Sequence, residues 1–119
     1  MSSILPQADK DAMLKDSEFG ASIVSGFQEA LKHGVDGWMD DDFELLKPWG
    51  FDLSEIKVPV FLWQGDEDLM VPFAHGKWLA SHLPKEGLVT HLEKGEGHLS
   101  IFLGREEEML RELMAVVGR

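Results

Sequence analysis

The sequence contains no cysteine. This absence excludes disulfide bonds, zinc sites built from thiolates and a cysteine nucleophile. Basic side chains are also scarce, because 11 lysines and arginines stand against 22 aspartates and glutamates, giving a formal net charge of −11. Nucleic-acid binding depends on clusters of positive charge, so we expect no nucleic-acid partner. The acidic residues occur in short scattered groups, and we expect them to form solvated surface.

Long apolar runs are missing as well. No stretch approaches the roughly 18 consecutive apolar residues that a membrane span requires. The N-terminus begins Met-Ser-Ser-Ile-Leu-Pro and lacks the basic region and apolar run of a signal peptide. We therefore expect a soluble, unprocessed, cytoplasmic protein with no membrane association.

The composition is that of a globular protein, with 44% hydrophobic and 28% charged residues among 119. This length predicts a single domain over residues 1–119. A Lys-Pro-Trp-Gly segment at 47–50 marks a change of pattern, because proline and glycine both interrupt helices. We expect a helical part over 1–50 and a part built of alternating strands and helices over 51–119.

Apolar residues in the first part recur at helical spacing. They predict a helix over 17–33, with Gly34 as its stop signal. A shorter helix is predicted over 41–46, with Asp40 as its N-cap.

The second part begins with a continuous apolar run at 58–63, which predicts a strand buried on both faces. A helix is expected between Pro72 and Pro84, a second strand over 88–92 and a final helix over 105–117. This β-α-β-α order predicts an α/β fold with two parallel strands and a right-handed crossover. Two parallel strands alone leave both sheet edges open, so the predicted architecture is incomplete.

The loops that follow the two predicted strands both carry polar residues. The first, at 65–72, contains three acidic residues in succession, and the second, at 95–98, ends in His98. The carboxyl ends of neighbouring parallel strands lie at one edge of a sheet, where functional groups gather. A carboxylate that accepts from one imidazole nitrogen fixes the tautomer and leaves the other nitrogen as a general base.

These loops resemble the acid and histidine loops of the α/β-hydrolase superfamily. The segment 58–72, Val-Pro-Val-Phe-Leu-Trp-Gln-Gly-Asp-Glu-Asp-Leu-Met-Val-Pro, is similar to the family's seventh strand and its Gly-x-x-Asp-x-x-Val-Pro acid loop. Gly-Glu-Gly-His resembles the histidine loop after the eighth strand. The resemblance implies that Asp68 is the triad acid and His98 the triad base, whereas Asp66 and Glu67 occupy positions that vary in the family.

Earlier segments resemble the same superfamily. Residues 17–34 are similar to a late helix of the cap that the family inserts before its seventh strand. The segments 34–38 and 48–51 resemble a branch near the proline-iminopeptidase-like and esterase-like members. The resemblance thus implies a partial α/β-hydrolase fold, with the end of a cap at 1–50 and the C-terminal βαβα part of the core at 51–119.

The family's nucleophile is missing. No serine in the chain has glycine two residues before and two residues after it, so the Gly-x-Ser-x-Gly elbow and its oxyanion hole are absent. The resemblance therefore implies a C-terminal fragment of a hydrolase that cleaves ester or amide bonds of a small-molecule substrate in the complete protein. We expect this fragment to be inactive alone, whether it is a natural truncation or has a misassigned start.

Two partner arrangements stay open. A complementing N-terminal half on another polypeptide would supply the nucleophile. The alternative function is a non-catalytic remnant that forms a homo-oligomer, or binds a partner, through its open sheet edges.

Other site chemistries are disfavoured. A metal cluster of His75, His82 and His91 with Asp66 and Glu67 matches no zinc signature, and we expect surface histidines and no metal or cofactor. The acid-rich stretch 36–47 lacks calcium ligands at its third and twelfth positions, and the Gly-x-Gly at 95–97 is too short to indicate nucleotide binding. We expect the tryptophans and methionines to pack in the core and cap rather than to form a lipid or peptide groove; they are Trp38, Trp49, Trp63, Trp78, Met13, Met39, Met70, Met109 and Met114.

Asp68 and His98 also have purely structural interpretations. A loop histidine often caps a helix or faces water, and an acid ahead of Pro72 often holds a turn. A triad acid is able to hold its own loop, so the two roles of Asp68 are compatible.

Overall fold

The computed structural model describes residues 5–117 as a mixed α/β arrangement. A 3₁₀ turn at Leu53–Glu55 precedes the first strand. The helices are α1 (Gln7–Lys15), α2 (Ser17–Ala30), α3 (Asp36–Leu45), α4 (Phe73–His82), α5 (Ser100–Leu103) and α6 (Glu106–Val117), and the strands are β1 (Val60–Gly65) and β2 (Leu88–Glu93).

The two strands form a parallel sheet in which Val60 pairs with Leu88 and Gly65 with Glu93, confirming the predicted parallel pairing. β1 begins two residues later than the apolar run because Pro59 has no N–H to give to the ladder. The first bond is instead donated by the Val60 N–H to the Gly87 carbonyl, at 3.0 Å. The prediction of a strand buried on both faces was wrong: of its six residues, only Gln64 and Gly65 are buried.

The helices α4 and α6 confirm the two predicted in the second part, and α2 confirms the one predicted at 17–33 although it ends at Ala30. The Asp16 side chain caps α2 by accepting from the Phe19 N–H at 2.9 Å. Beyond the last turn, Gly34 has a φ of +104°, a left-handed conformation that glycine adopts readily.

The prediction of a short helix at 41–46 capped by Asp40 was wrong in its start. α3 begins at Asp36 after an N-cap at Val35. The left-handed turn at Gly34 redirects the chain into the new helix, and the acidic side chain of Asp36 suits the positive end of the helix dipole. α1 lies in the part expected to be helical, although its bounds were not predicted, and the four-residue α5 was not predicted.

Large apolar side chains remain exposed across the described residues. Leu83 and Ile101 are the buried hydrophobic residues in this part of the chain, whereas Trp38, Trp49 and Trp78 are exposed. The expectation that the tryptophans pack in a core was therefore wrong for these three. Each of the three makes aromatic contacts at the surface: Trp38 stacks on Phe27, and Trp49 lies edge-on to Trp78. None of the helices in this range combines the length and apolar character needed to cross a membrane.

Candidate functional site: an aspartate–histidine pair at the strand ends

Asp68 lies in the loop that leaves β1, and local bonds hold its carboxylate in place. Oδ1 accepts hydrogen bonds from the Met70 and Val71 N–H groups, both at 2.8 Å. This turn-forming pattern is the structural role that the sequence allowed for this acid. The Asp68 side chain is only 4% exposed, so the second oxygen, Oδ2, lies in a sheltered position.

His98 lies in the loop that leaves β2, and hydrogen bonds from backbone N–H groups join the two loops. The Gly95 N–H donates to Asp66 Oδ1 at 2.7 Å, and the Glu67 N–H donates to the Glu96 carbonyl at 2.9 Å. Gly65 lies so close to Glu96 that any side chain at this glycine would overlap the Glu96 carbonyl. The parallel register thus brings the acid loop and the histidine loop into direct contact.

The predicted pair meets. His98 Nδ1 lies 2.9 Å from Asp68 Oδ2. An ionised carboxylate only accepts hydrogen bonds, so Nδ1 carries the proton and Nε2 is the basic nitrogen of the neutral ring. The His98 side chain is 39% exposed, which makes the ring reachable from solvent. This geometry suits a general base whose tautomer is fixed by a buried acid.

Sequence reasoning missed Asp9 of α1, which is fully buried, with 0% exposure. Its carboxylate accepts from the N–H groups of His98 at 3.0 Å, Leu99 at 2.9 Å and Ser100 at 2.8 Å. The sequence held no signal for this role, because Asp9 stands in the polar run Gln-Ala-Asp-Lys-Asp beside the exposed Asp11. Its partners lie about 90 residues away and are backbone groups, which leave no residue pattern.

Ser100 is the serine nearest to His98 in sequence, but its hydroxyl is engaged elsewhere. Ser100 Oγ donates to Glu96 Oε2 at 2.6 Å and accepts from the Gly97 N–H at 2.8 Å. Arg105 contacts the end of β2 through Nη2, which lies 3.2 Å from Glu93 Oε2, and the histidine loop through Nε, which lies 3.9 Å from Glu96 Oε1. The two hydroxyl bonds make Ser100 a structural residue at the start of α5 that holds the histidine loop.

The remaining histidines lie apart from this pair. His75 and His82 are exposed, as expected. His91 is partly buried instead: its ring stacks on Trp63 with 3.6 Å between the ring centroids, and Nε2 lies 2.9 Å from Glu112 Oε1. Across residues 5–117, histidine and carboxylate side chains form no group of three that is able to hold a metal ion.

Comparison with known proteins found no match to a family model, to a curated protein or to a solved structure. The function is therefore inferred from the geometry of the site and from the resemblance of its loops.

Proposed function

We propose that this chain supplies the acid and the base of an α/β-hydrolase-type catalytic triad. Asp68 orients His98, and His98 activates a serine-type nucleophile that comes from outside this chain. The reaction is cleavage of an ester or amide bond in a small-molecule substrate. One observation carries the proposal: His98 Nδ1 and Asp68 Oδ2 lie 2.9 Å apart at the carboxyl ends of two paired parallel strands.

The chemistry assigns one task to each residue. His98 Nε2 takes the proton from the nucleophile as it attacks the carbonyl carbon, and the resulting imidazolium then gives that proton to the leaving group. The Asp68 carboxylate stabilises the imidazolium and keeps the ring in the required tautomer. Without a nucleophile and an oxyanion hole, this pair alone is a poor catalyst. We therefore expect no turnover from the isolated chain.

The coding DNA adjacent to this gene offers the first test. We expect a segment encoding Gly-x-Ser-x-Gly, either in frame upstream or in a neighbouring gene. The chain joined to, or mixed with, the product of that segment should hydrolyse activated esters. His98→Ala should lower kcat about a thousandfold or more. The exposed His75 provides the matched control, since His75→Ala should leave the rate unchanged.

Two results would count against this proposal. One is turnover by the isolated chain that is lost in His98→Ala, because it would place a nucleophile within this sequence. The other is an active joined protein whose rate does not depend on His98.

A second candidate function is self-association without catalysis. It is favoured by the sheet, which within residues 5–117 has two strands and two unpaired edges, and by the exposed apolar side chains of α2, α3 and α6. Analytical ultracentrifugation tests it directly. A monomer across the micromolar range would exclude this function, whereas a stable dimer would favour it.

A further inference from the structure

The Asp9 carboxylate connects the N-terminal helix to the backbone of the histidine loop. Oδ2 accepts from the His98 N–H, and Oδ1 accepts from both the Leu99 and the Ser100 N–H groups. These donors lie at the start of α5, where the first N–H groups of a helix have no partner within the helix itself. A residue about 90 positions away in sequence therefore satisfies all three of these backbone donors.

Burial makes this contact specific. A carboxylate removed from water is costly unless hydrogen bonds replace its hydration, and the three N–H groups would be costly if they were buried without an acceptor. Gly97 leaves the space that Asp9 occupies, because a side chain at this glycine would overlap the Asp9 carboxylate. The loop and the carboxylate thus fit each other in both shape and hydrogen bonding.

We propose that Asp9 is a positioning residue for His98. By fixing the His98 main chain, it keeps Nδ1 within hydrogen-bond distance of Asp68 and leaves Nε2 as the basic nitrogen. The catalytic meaning of this role rests on the proposed function. The positioning itself is a property of the chain alone and is measurable without turnover.

The substitution Asp9→Asn distinguishes the role of Oδ2, which binds His98, from the role of Oδ1, which binds Leu99 and Ser100. An amide has one acceptor oxygen and one donor nitrogen. When the amide oxygen accepts from the Leu99 and Ser100 N–H groups, two of the three hydrogen bonds remain. The NH₂ group of the new side chain then faces the His98 N–H, and two donors cannot bond each other. We expect amide hydrogen exchange at His98 to become at least about tenfold faster, while Leu99 and Ser100 keep most of their protection. Asp9→Ala removes both acceptor oxygens, and with them all three hydrogen bonds, and should expose all three amides.

The decisive readout is the imidazole of His98. In ¹⁵N-labelled wild-type protein, we expect the Nδ1-protonated tautomer with a slowly exchanging Nδ1–H proton. Asp9→Asn should broaden or remove this proton signal and mix the two tautomers. Asp11 provides the matched control, because it lies on the same helix but is exposed, and its carboxylate accepts from the Gln7 side chain at 2.8 Å. Asp11→Asn should leave the His98 spectrum unchanged.

A folded Asp9→Asn protein with the wild-type His98 tautomer and Nδ1–H signal would overturn the proposal. If the Asp9 variants do not fold, Gly97→Ala replaces them. Its methyl group would push the Asp9 carboxylate out of its place without removing Asp9 from the chain. An unchanged His98 spectrum in this variant would likewise overturn the proposal. Loss of the signal in an Asp9 variant, together with a joined protein that is inactive with Asp9 in place, would support positioning and reject the hydrolase function. The two proposals therefore fail through different measurements.

Discussion

The loop edge and the helical half of this protein are held together by different forces. The loop edge comprises the turns after β1 and β2 with Asp9, and it contains Asp68 and Ser100 as buried polar residues. The helical half comprises α2 and α3, and neither helix has a buried residue. Its apolar side chains contact one another at the surface, as in the stacking of Phe27 on Trp38 at 6.0 Å between ring centroids.

This difference shows that the placement of side chains and the free energy of folding have separate sources. Directional hydrogen bonds fix groups to within tenths of an ångström, and they do so at the loop edge. The hydrophobic effect stabilises only surface that is removed from water. The helical half therefore has defined helices but gains little from its apolar residues until another surface covers them. Comparisons between the two regions make this claim testable.

The largest expected effect comes from the same substitution made once in each region. Gly65→Ala places a methyl group against the Glu96 carbonyl and should lower the free energy of unfolding by about 3 kcal/mol, because neither backbone is free to move away. In Gly26→Ala, the new methyl group meets open space on α2 and should raise it by about 0.5–1 kcal/mol, since alanine favours the helix.

Urea unfolding followed by circular dichroism measures both changes. Effects of the same sign and size in the two variants would show that the regions do not differ in packing as described.

The second prediction concerns buried and exposed carboxylates. Asp68→Ala leaves two backbone N–H groups and the His98 ring without their acceptor, and it should cost about 2–3 kcal/mol of stability. Asp68→Asn retains the turn, but it presents an NH₂ group to His98 and should favour the Nε2-protonated tautomer, which ¹⁵N NMR detects. Asp42→Ala, at an exposed acid on α3, is the control and should change stability by less than about 0.5 kcal/mol. Equal losses at Asp68 and Asp42 would contradict a tightly bonded loop edge.

The contact between the two strand-end loops was predictable from the sequence because it follows from local pattern plus one topological rule. An apolar run, a helix and a second run predict parallel strands, and parallel strands carry their following loops to one edge. That an acidic residue of the first loop meets His98 needed nothing more, whereas the choice of Asp68 among three consecutive acids rested on the resemblance of its loop to a known acid loop. The start of α3 was less predictable. Glycine at position 37 disfavours a helix, but the left-handed turn at Gly34 already directs the chain into α3 at Asp36.

The role of Asp9 was not predictable in this way. Three backbone donors bind its carboxylate, and backbone donors are the same in every residue but proline. The exposure of the tryptophans was not predictable either, because periodicity predicts which face of a helix is apolar but not which part of the protein packs against that face. Sequence patterns therefore predicted both strands, three of the helices and the meeting of the acid loop with the histidine loop, but not the long-range contact at Asp9.

The third prediction concerns the helical half, where local interactions should dominate. Asp16→Ala removes the N-cap of α2 and should cost about 1 kcal/mol. Asp16→Asn retains a capping oxygen and should restore most of this loss. Thermal unfolding with helix content as the readout measures both. An Asp16→Ala loss as large as that of Asp68→Ala would mean that this cap supports more than its own helix.

The smallest effect is expected at Asp52, an exposed aspartate that makes the same local hydrogen bond as the buried Asp68. Asp52 Oδ1 accepts from the Ser54 N–H at 2.8 Å, as Asp68 Oδ1 accepts from the Met70 N–H, but Asp52 is exposed. The Ser54 N–H, and then the Ser54 side chain, lower the pKa of Asp52 below its ordinary value of 3.8. Because the folded state has the lower pKa, this contribution to stability is fully present above pH 3.8 and is lost as the pH falls through the folded value.

Carbon-13 NMR titration of the carboxyl groups should give a pKa of Asp52 below 3.8. Ser54→Ala should raise this pKa only part of the way, since the backbone donor remains. A wild-type pKa of Asp52 at or above the ordinary value of 3.8 would show that this turn does not hold its hydrogen bond at the surface.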